Sequence, residues 1–228
     1  MNQNLYKNKL WVFGDSYSDK AGLIPELQEF YKVDTLKDWA ELLSDDLELK
    51  LERNAMGGAG IEWILNKFIN QISHIKKNDI VIISDTIITR LSGIDVRTNK
   101  VTTLDNERLY YGDDVEEDSH LAPVYGKDRQ KVVLDYTIGF IHEYYTQWEN
   151  YYINQIQSLA KLLKDNGVEV YFWSHRLWNL TEANRFSKIH EETDGLFRDS
   201  HWGYHGHQSF CRYLKNRIEK KEYFENVQ

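Results

Sequence analysis

Four short apolar runs, each ending in small or polar residues, set the frame of this chain. Leu10-Trp11-Val12-Phe13 stops at Gly14-Asp15-Ser16, and Leu47, Leu49 and Leu51 alternate before the glycine-rich stretch Asn54-Ala-Met-Gly-Gly-Ala-Gly60. Ile80-Val81-Ile82-Ile83 stops at Ser84-Asp85-Thr86, and Val168-Glu-Val-Tyr-Phe-Trp173 at Ser174-His175-Arg176. A short apolar run closed by turn residues reads as a buried strand entering a loop. Between these runs the spacing changes to that of helices. Leu36, Trp39, Ala40, Leu42 and Leu43 follow Thr35, which reads as an N-cap. Ile61, Ile64, Leu65, Phe68, Ile69, Ile72 and Ile75 predict a long second helix up to Asn78-Asp79. Ile153, Ile156, Leu159, Ala160 and Leu163 share one face of a helix over 141–165, capped by Asn166-Gly167. A last helix begins near Gly206 and carries Phe210, Tyr213, Leu214 and Ile218.

Strands alternating with helices predict a parallel sheet with helices on both faces, a three-layer α/β/α sandwich of about five strands. In such sheets ligands sit at the carboxyl ends of the strands. The polar clusters at 14–16, 57–58, 84–86 and 174–176 all fall there, and Asp199-Ser200-His201 precedes the last helix. Residues 91–140 lose the pattern and hold many charges and tyrosines, so they read as an irregular insertion or lid within a single domain spanning 1–228.

Composition narrows the chemistry. With 228 residues the chain is long enough for a full core. Lys plus Arg is 28 and Asp plus Glu is 36, a formal net charge of −8 that disfavours nucleic acid as a partner. The single cysteine, Cys211, rules out an intrachain disulfide and a Cys-based zinc site. No apolar run approaches a membrane span, and the start lacks the apolar core of a secretory signal, so the expected setting is cytoplasmic and away from membranes. Aromatic residues make up 14% of the chain, which suits ligands with apolar faces such as sugars.

Gly14-Asp15-Ser16 by itself makes a good turn as readily as a catalytic serine. Asp199 and His201, two residues apart, change the weighting. A serine hydroxyl needs a base to become a nucleophile, and a histidine needs a carboxylate to fix its tautomer. The tripeptide taken alone is also a plausible solvated turn. His201, His205 and His207 with Asp199 admit a metal-binding reading as well.

Taken together, these blocks resemble the SGNH/GDSL family of serine esterases. Phe13-Gly14-Asp15-Ser16-Tyr17-Ser18 resembles its first block, Asn54-Ala-Met-Gly-Gly-Ala-Gly60 its second, and Asp199-Ser-His-Trp-Gly-Tyr-His-Gly206-His207 its last. The matches run in family order from about residue 10 to 215. The resemblance implies the flavodoxin-like SGNH hydrolase fold, Ser16 as nucleophile, His201 as base and Asp199 as its orienting acid. It also implies an oxyanion hole from the Ser16 and Gly58 N–H groups. Asp15, Gly57, Asp85, His175 and Trp202 are then expected to line the substrate. No cofactor or metal is expected, and the partner is a small-molecule or glycan ester.

Three departures stand out. Arg198 occupies the position of the usual acid, so Asp199 must serve in an Asp-x-His form. Asn54 lies four residues before Gly58, where five is usual. The third block, Gly-x-Asn-Asp, is absent; Ser84-Asp85-Thr86 stands in its place. Its asparagine would donate to the oxyanion, which ionised Asp85 cannot do but the Thr86 hydroxyl can. Thr86, Asn54 or a donor from 91–140 are the open replacements. The sequence therefore supports an ester hydrolase, with O-acetyl groups on carbohydrate favoured. A weak or inactive carbohydrate-binding protein of the same fold is the alternative.

Overall fold

The computed structural model describes residues 8–20, 23, 25–86, 90–95, 100–105, 147, 150–173, 188–197 and 201–223, with the backbone alone for 90–95 and 100–105. Four strands form one sheet: β1 (Lys9–Gly14), β2 (Lys50–Ala55), β3 (Ile80–Ser84) and β6 (Glu169–Trp173). Their order is β2-β1-β3-β6, and every neighbouring pair is parallel. This is the expected α/β architecture, with four strands in the parallel sheet among the described residues where about five were expected.

The layers follow from the two-residue period of a strand, which sends successive side chains to opposite faces. Leu10, Val12, Ile82, Tyr171 and Trp173 point to one face. There they meet Trp39, Ala40 and Leu43 of helix α2 (Trp39–Asp46) and Phe210, Cys211, Leu214 and Ile218 of the last helix, Tyr204–Lys220. Trp11, Phe13, Val81, Ile83, Val170 and Phe172 point to the other face. They pack on Ile64, Leu65 and Phe68 of α3 (Ile61–Gln71) and on Ile156, Ala160 and Leu163 of a helix over 150–165, here α4. Sheet residues buried on both faces give the continuous apolar runs seen in the sequence. A third, smaller core joins Leu27 of α1 (Glu26–Tyr31), Leu36 and Ile189 of the short α5 (Ile189–Glu192). The Tyr204–Lys220 helix is α6.

Several boundaries differ from the sequence reading. Helix α2 is capped by Asp38, not Thr35. The Asp38 carboxylate accepts from the N–H groups of Ala40 and Glu41, both at 2.9 Å, while Glu41 Oε2 accepts from Asp38 N–H at 3.0 Å. This reciprocal capping box is legible in the sequence as Asp38-Trp-Ala-Glu41. Strand β2 starts at Lys50; Leu47 caps α2, and the leucine alternation records side chains that pack on the same core. Helix α3 tightens into a 3₁₀ turn over Ile72–His74 instead of running to Ile75. Helix α6 begins at Tyr204, before Gly206. The start of the stretch expected to be irregular is an antiparallel strand pair, β4 (Arg90–Asp95) with β5 (Lys100–Asp105). The rest of the insertion expected over 91–140 lies outside the described residues. Among the described residues no helix is long and apolar enough to cross a membrane.

Candidate active site

The β2-β1-β3 order places the loops after β1 and β3 side by side at the point where the chain's winding reverses. In sheets of this kind the ligand crevice lies at that point, outside the carboxyl ends of the strands. The last residue of β1, Gly14, sits where no side chain fits: a Cβ would overlap the Ser84 and Ser18 hydroxyls, with Ser18 Cβ itself 2.7 Å away. The Ser18 and Ser84 hydroxyl oxygens lie 3.3 Å apart across this junction. The chain then turns sharply. Ser18 N–H donates to the Asp15 carbonyl at 3.0 Å and Asp19 N–H to the Ser16 carbonyl at 3.3 Å.

Two charged groups brace the turn. Asp15 is fully buried; one carboxylate oxygen accepts from Tyr17 N–H at 3.1 Å and the other from the Thr86 hydroxyl at 3.1 Å. That bond ties the loop after β1 to the loop after β3. Arg53 of β2 donates from Nη1 to the Ser18 carbonyl at 3.0 Å and also to the buried Asp38 carboxylate. Ser16 itself is 5% exposed, and its Oγ has no hydrogen-bond partner among the described residues. An unpartnered buried hydroxyl is costly in a structural turn.

His201 approaches from the far end of the chain. Its ring lies 5.1 Å, centroid to centroid, from that of Tyr17, the residue next to Ser16. Trp202 also packs on Tyr17, with ring centroids 5.0 Å apart. His201 and Ser16, 185 positions apart in the chain, are thus brought to one strand-end neighbourhood.

The remaining candidates are placed as follows. Trp202 does not line a surface: it is 5% exposed and sits in the core, its ring 4.6 Å from that of Phe210 and 5.9 Å from that of Trp173. The Thr86 hydroxyl carries one proton, and that proton is given to Asp15. In this arrangement it is not offered to an oxyanion. Asp85 is buried, with its N–H on the Trp173 carbonyl at 3.1 Å. Asn54 lies in β2 opposite Phe13. Gly57 is exposed and its N–H is held by the Asp19 carboxylate at 3.0 Å. Gly58 has φ of 76°, the left-handed region that only glycine occupies freely, which turns the loop toward α3. Asp199 and His175 lie outside the described residues.

The three histidines diverge. His205 is exposed, with Nδ1 3.4 Å from Gln208 Oε1, whereas His207 is buried at 1% exposure. Among the described residues no group of three His, Cys, Asp or Glu is placed to hold a metal ion. His207 Nδ1 accepts from Trp39 N–H at 3.3 Å, which leaves Nε2 as the protonated nitrogen. Burial pushes the His207 pKa down to about 4, with the nearby Arg53 and His201 adding to the fall against an opposing pull from Asp38. Cys211 is no nucleophile: burial raises its thiol to about 11.

The sequence reasoning missed Arg53, Tyr17 and the Asp15–Thr86 link. Arg53 belongs to no short motif, and the blocks that contain Asp15, Tyr17 and Thr86 do not show which partners these residues meet. Their roles arise from strand register and loop packing.

No family model matches the chain, and no curated protein does. Solved structures share its outline. A G-D-S-L family protein from Desulfitobacterium hafniense aligns with a TM-score of 0.43 at 10% identity, covering 92% of this chain and 98% of that one. An alpha/beta hydrolase enzyme from the metagenome of Lake Arreo aligns with a TM-score of 0.39 at 14% identity, over 94% and 96%. A member of the lipolytic protein G-D-S-L family from Veillonella parvula gives a TM-score of 0.37 at 12% identity, over 93% and 98%. Likeness at this level carries no argument about chemistry. The sheet order and the strand-end site stand on the chain's own geometry.

Proposed function

We propose that this protein is a serine esterase that cleaves carboxylic esters through an acyl-Ser16 intermediate. The observation that carries the reading is the buried, unpartnered Ser16 hydroxyl at the carboxyl end of β1, with the His201 ring held against its neighbour Tyr17. A hydroxyl kept free of structural bonds at a strand end has no partner to give up before it bonds to a carbonyl carbon.

In this mechanism His201 takes the Ser16 proton as Oγ bonds to the carbonyl carbon. Asp199, in the role the family resemblance gives it, orients the imidazole and stabilises its charged form. The backbone N–H groups of Ser16 and Gly58 hold the developing oxyanion. His201 then gives its proton to the departing alkoxide. In the second half it takes a proton from water as the water oxygen attacks the acyl carbon, and returns that proton to Ser16 Oγ as the acyl–Oγ bond breaks and the acid leaves.

With Thr86 committed to Asp15, a third oxyanion donor would have to come from Asn54 or from 91–140. Loss of one oxyanion donor lowers turnover by about 10²–10³-fold in a comparable hydrolase. Turnover is therefore expected to be slow unless one of these supplies the donor. The aromatic richness of the chain supports O-acetyl groups on carbohydrate as the substrate class.

The test is a p-nitrophenyl phosphonate probe followed by hydrolysis of acetylated sugars and of p-nitrophenyl esters of several chain lengths. Covalent labelling at Ser16, abolished in Ser16→Ala, is the expected result. A well-folded wild-type protein that neither labels nor hydrolyses any ester overturns the reading in favour of a binding protein.

A further inference from the structure

The segment that carries His201 has no cap of its own. Helix α6 opens on Gly203, which supplies no side-chain acceptor to the first turn. The acceptors come from Glu192, at the end of α5. Glu192 Oε1 accepts from Gly206 N–H at 2.9 Å and Oε2 from His205 N–H at 3.3 Å. Oε2 also accepts from the Tyr31 hydroxyl of α1 at 2.5 Å. One carboxylate thus joins three stretches of chain.

The same short helix grips His201 directly. Ile189 N–H donates to the His201 carbonyl at 2.9 Å, and Lys188 bridges Trp202 in antiparallel fashion. Beneath it, Ile189 is buried with Leu27 and Leu36 in the third core. Residue 203 is a glycine at the point where space is needed: a Cβ there would overlap the Glu192 carboxylate and lie 2.9 Å from the Tyr31 hydroxyl. Its backbone, with φ of −75°, would accept any residue, so the restriction is one of space alone.

We infer that Glu192 is a positioning residue for His201. It clamps the first turn of α6 onto α5 and α1, so that the intervening loop presents the imidazole to the strand-end crevice. This assignment rests on the esterase reading above. A displacement of about 1 Å at a catalytic group can cost about a hundredfold in rate, which makes such a clamp consequential. Glu192 touches neither substrate nor reacting atoms in this scheme.

The test uses the full chain and the variants Glu192→Ala, Glu192→Gln and Gly203→Ala. Asp79→Asn serves as a control for general destabilisation. Asp79 is buried at the opposite end of the sheet, where it accepts from Lys9 N–H, Lys76 N–H and the Trp11 indole, each at 2.9 Å. The rate of phosphonate labelling at Ser16 is measured as a function of pH. Glu192→Ala is expected to slow labelling by roughly ten- to a hundredfold and to shift its pH profile. Glu192→Gln should be intermediate, because its amide oxygen still accepts from Gly206 N–H. Gly203→Ala should resemble Glu192→Ala by displacing the carboxylate. Labelling of Glu192→Ala at the wild-type rate, or an equal fall in Asp79→Asn at matched loss of Tm, overturns the assignment.

Amide hydrogen exchange on the same proteins needs no reaction. Faster exchange at Ile189, His205 and Gly206 in Glu192→Ala, with Leu214–Ile218 unchanged, supports the clamp; unchanged exchange at all three overturns it. If the wild-type protein is not labelled, the esterase reading fails on that result, and the exchange data alone decide whether Glu192 holds the His201 segment.

Discussion

Replacing His207 by glutamine should flatten the acid sensitivity of folding. The imidazole is buried at 1% exposure beside Trp39, Trp202 and the Asp38–Arg53 pair, and desolvation disfavours its charged form. Its pKa falls from 6.5 in the unfolded chain to about 4 in the folded one. Between those values the unfolded chain binds a proton that the folded chain refuses. Stability is therefore full above pH 6.5 and is lost as pH falls toward about 4. One pKa unit corresponds to about 1.36 kcal/mol. The full shift thus amounts to about 3 kcal/mol, of which about 2 kcal/mol is lost between about pH 7 and pH 4.5. Urea unfolding at those two pH values gives the comparison. Glutamine keeps an oxygen for Trp39 N–H and cannot titrate, so the wild-type protein should lose about 2 kcal/mol more than His207→Gln on acidification. A difference below about 0.5 kcal/mol would show that the buried imidazole accepts its proton without penalty, and the reasoning from burial would fail.

Other substitutions probe the same end of the sheet. Thr86→Val removes one donor from the buried Asp15 carboxylate and should lower stability by about 1–3 kcal/mol in chemical denaturation. Ester turnover per folded molecule should then stay within a few-fold of wild type; a collapse of turnover in a stable Thr86→Val protein would mean that the hydroxyl does serve the oxyanion. Gly14→Ala forces a Cβ into the Ser18 and Ser84 side chains and should cost about 1–3 kcal/mol, read as a lower Tm. An unchanged Tm would show that the junction between β1 and the Ser16 turn has slack.

Much of the scaffold was written in local pattern. Residues 10–13 and 80–83 read as buried strands because a central parallel strand is covered on both faces and must be apolar throughout, and 168–173 reads likewise because its strand, though last in the sheet order, is also covered on both faces. Strand β2 was harder to delimit. It lies at the sheet edge, half-exposed and polar, so the leucines before it gave a stronger signal than the strand itself. Asp38 was hidden for a different reason: Thr35 and Asp38 are both competent caps, and Arg53, fifteen residues on, pairs with the buried Asp38 carboxylate. The β4–β5 pair escaped because its sequence lacks the apolar density of the main sheet.

The sequence by itself determined the alternation of strands and helices, the position of Ser16 at the end of a buried strand and the presence of a histidine before the last helix. It did so because burial and turn formation are local demands on residue type. Only the tertiary structure decided that Tyr17 meets His201, that the Thr86 proton is given to Asp15, that Trp202 is core and that Glu192 caps a helix across three segments. Those outcomes depend on strand order and on the competition of polar groups for partners within a few ångströms, and neither is encoded at any fixed spacing along the chain.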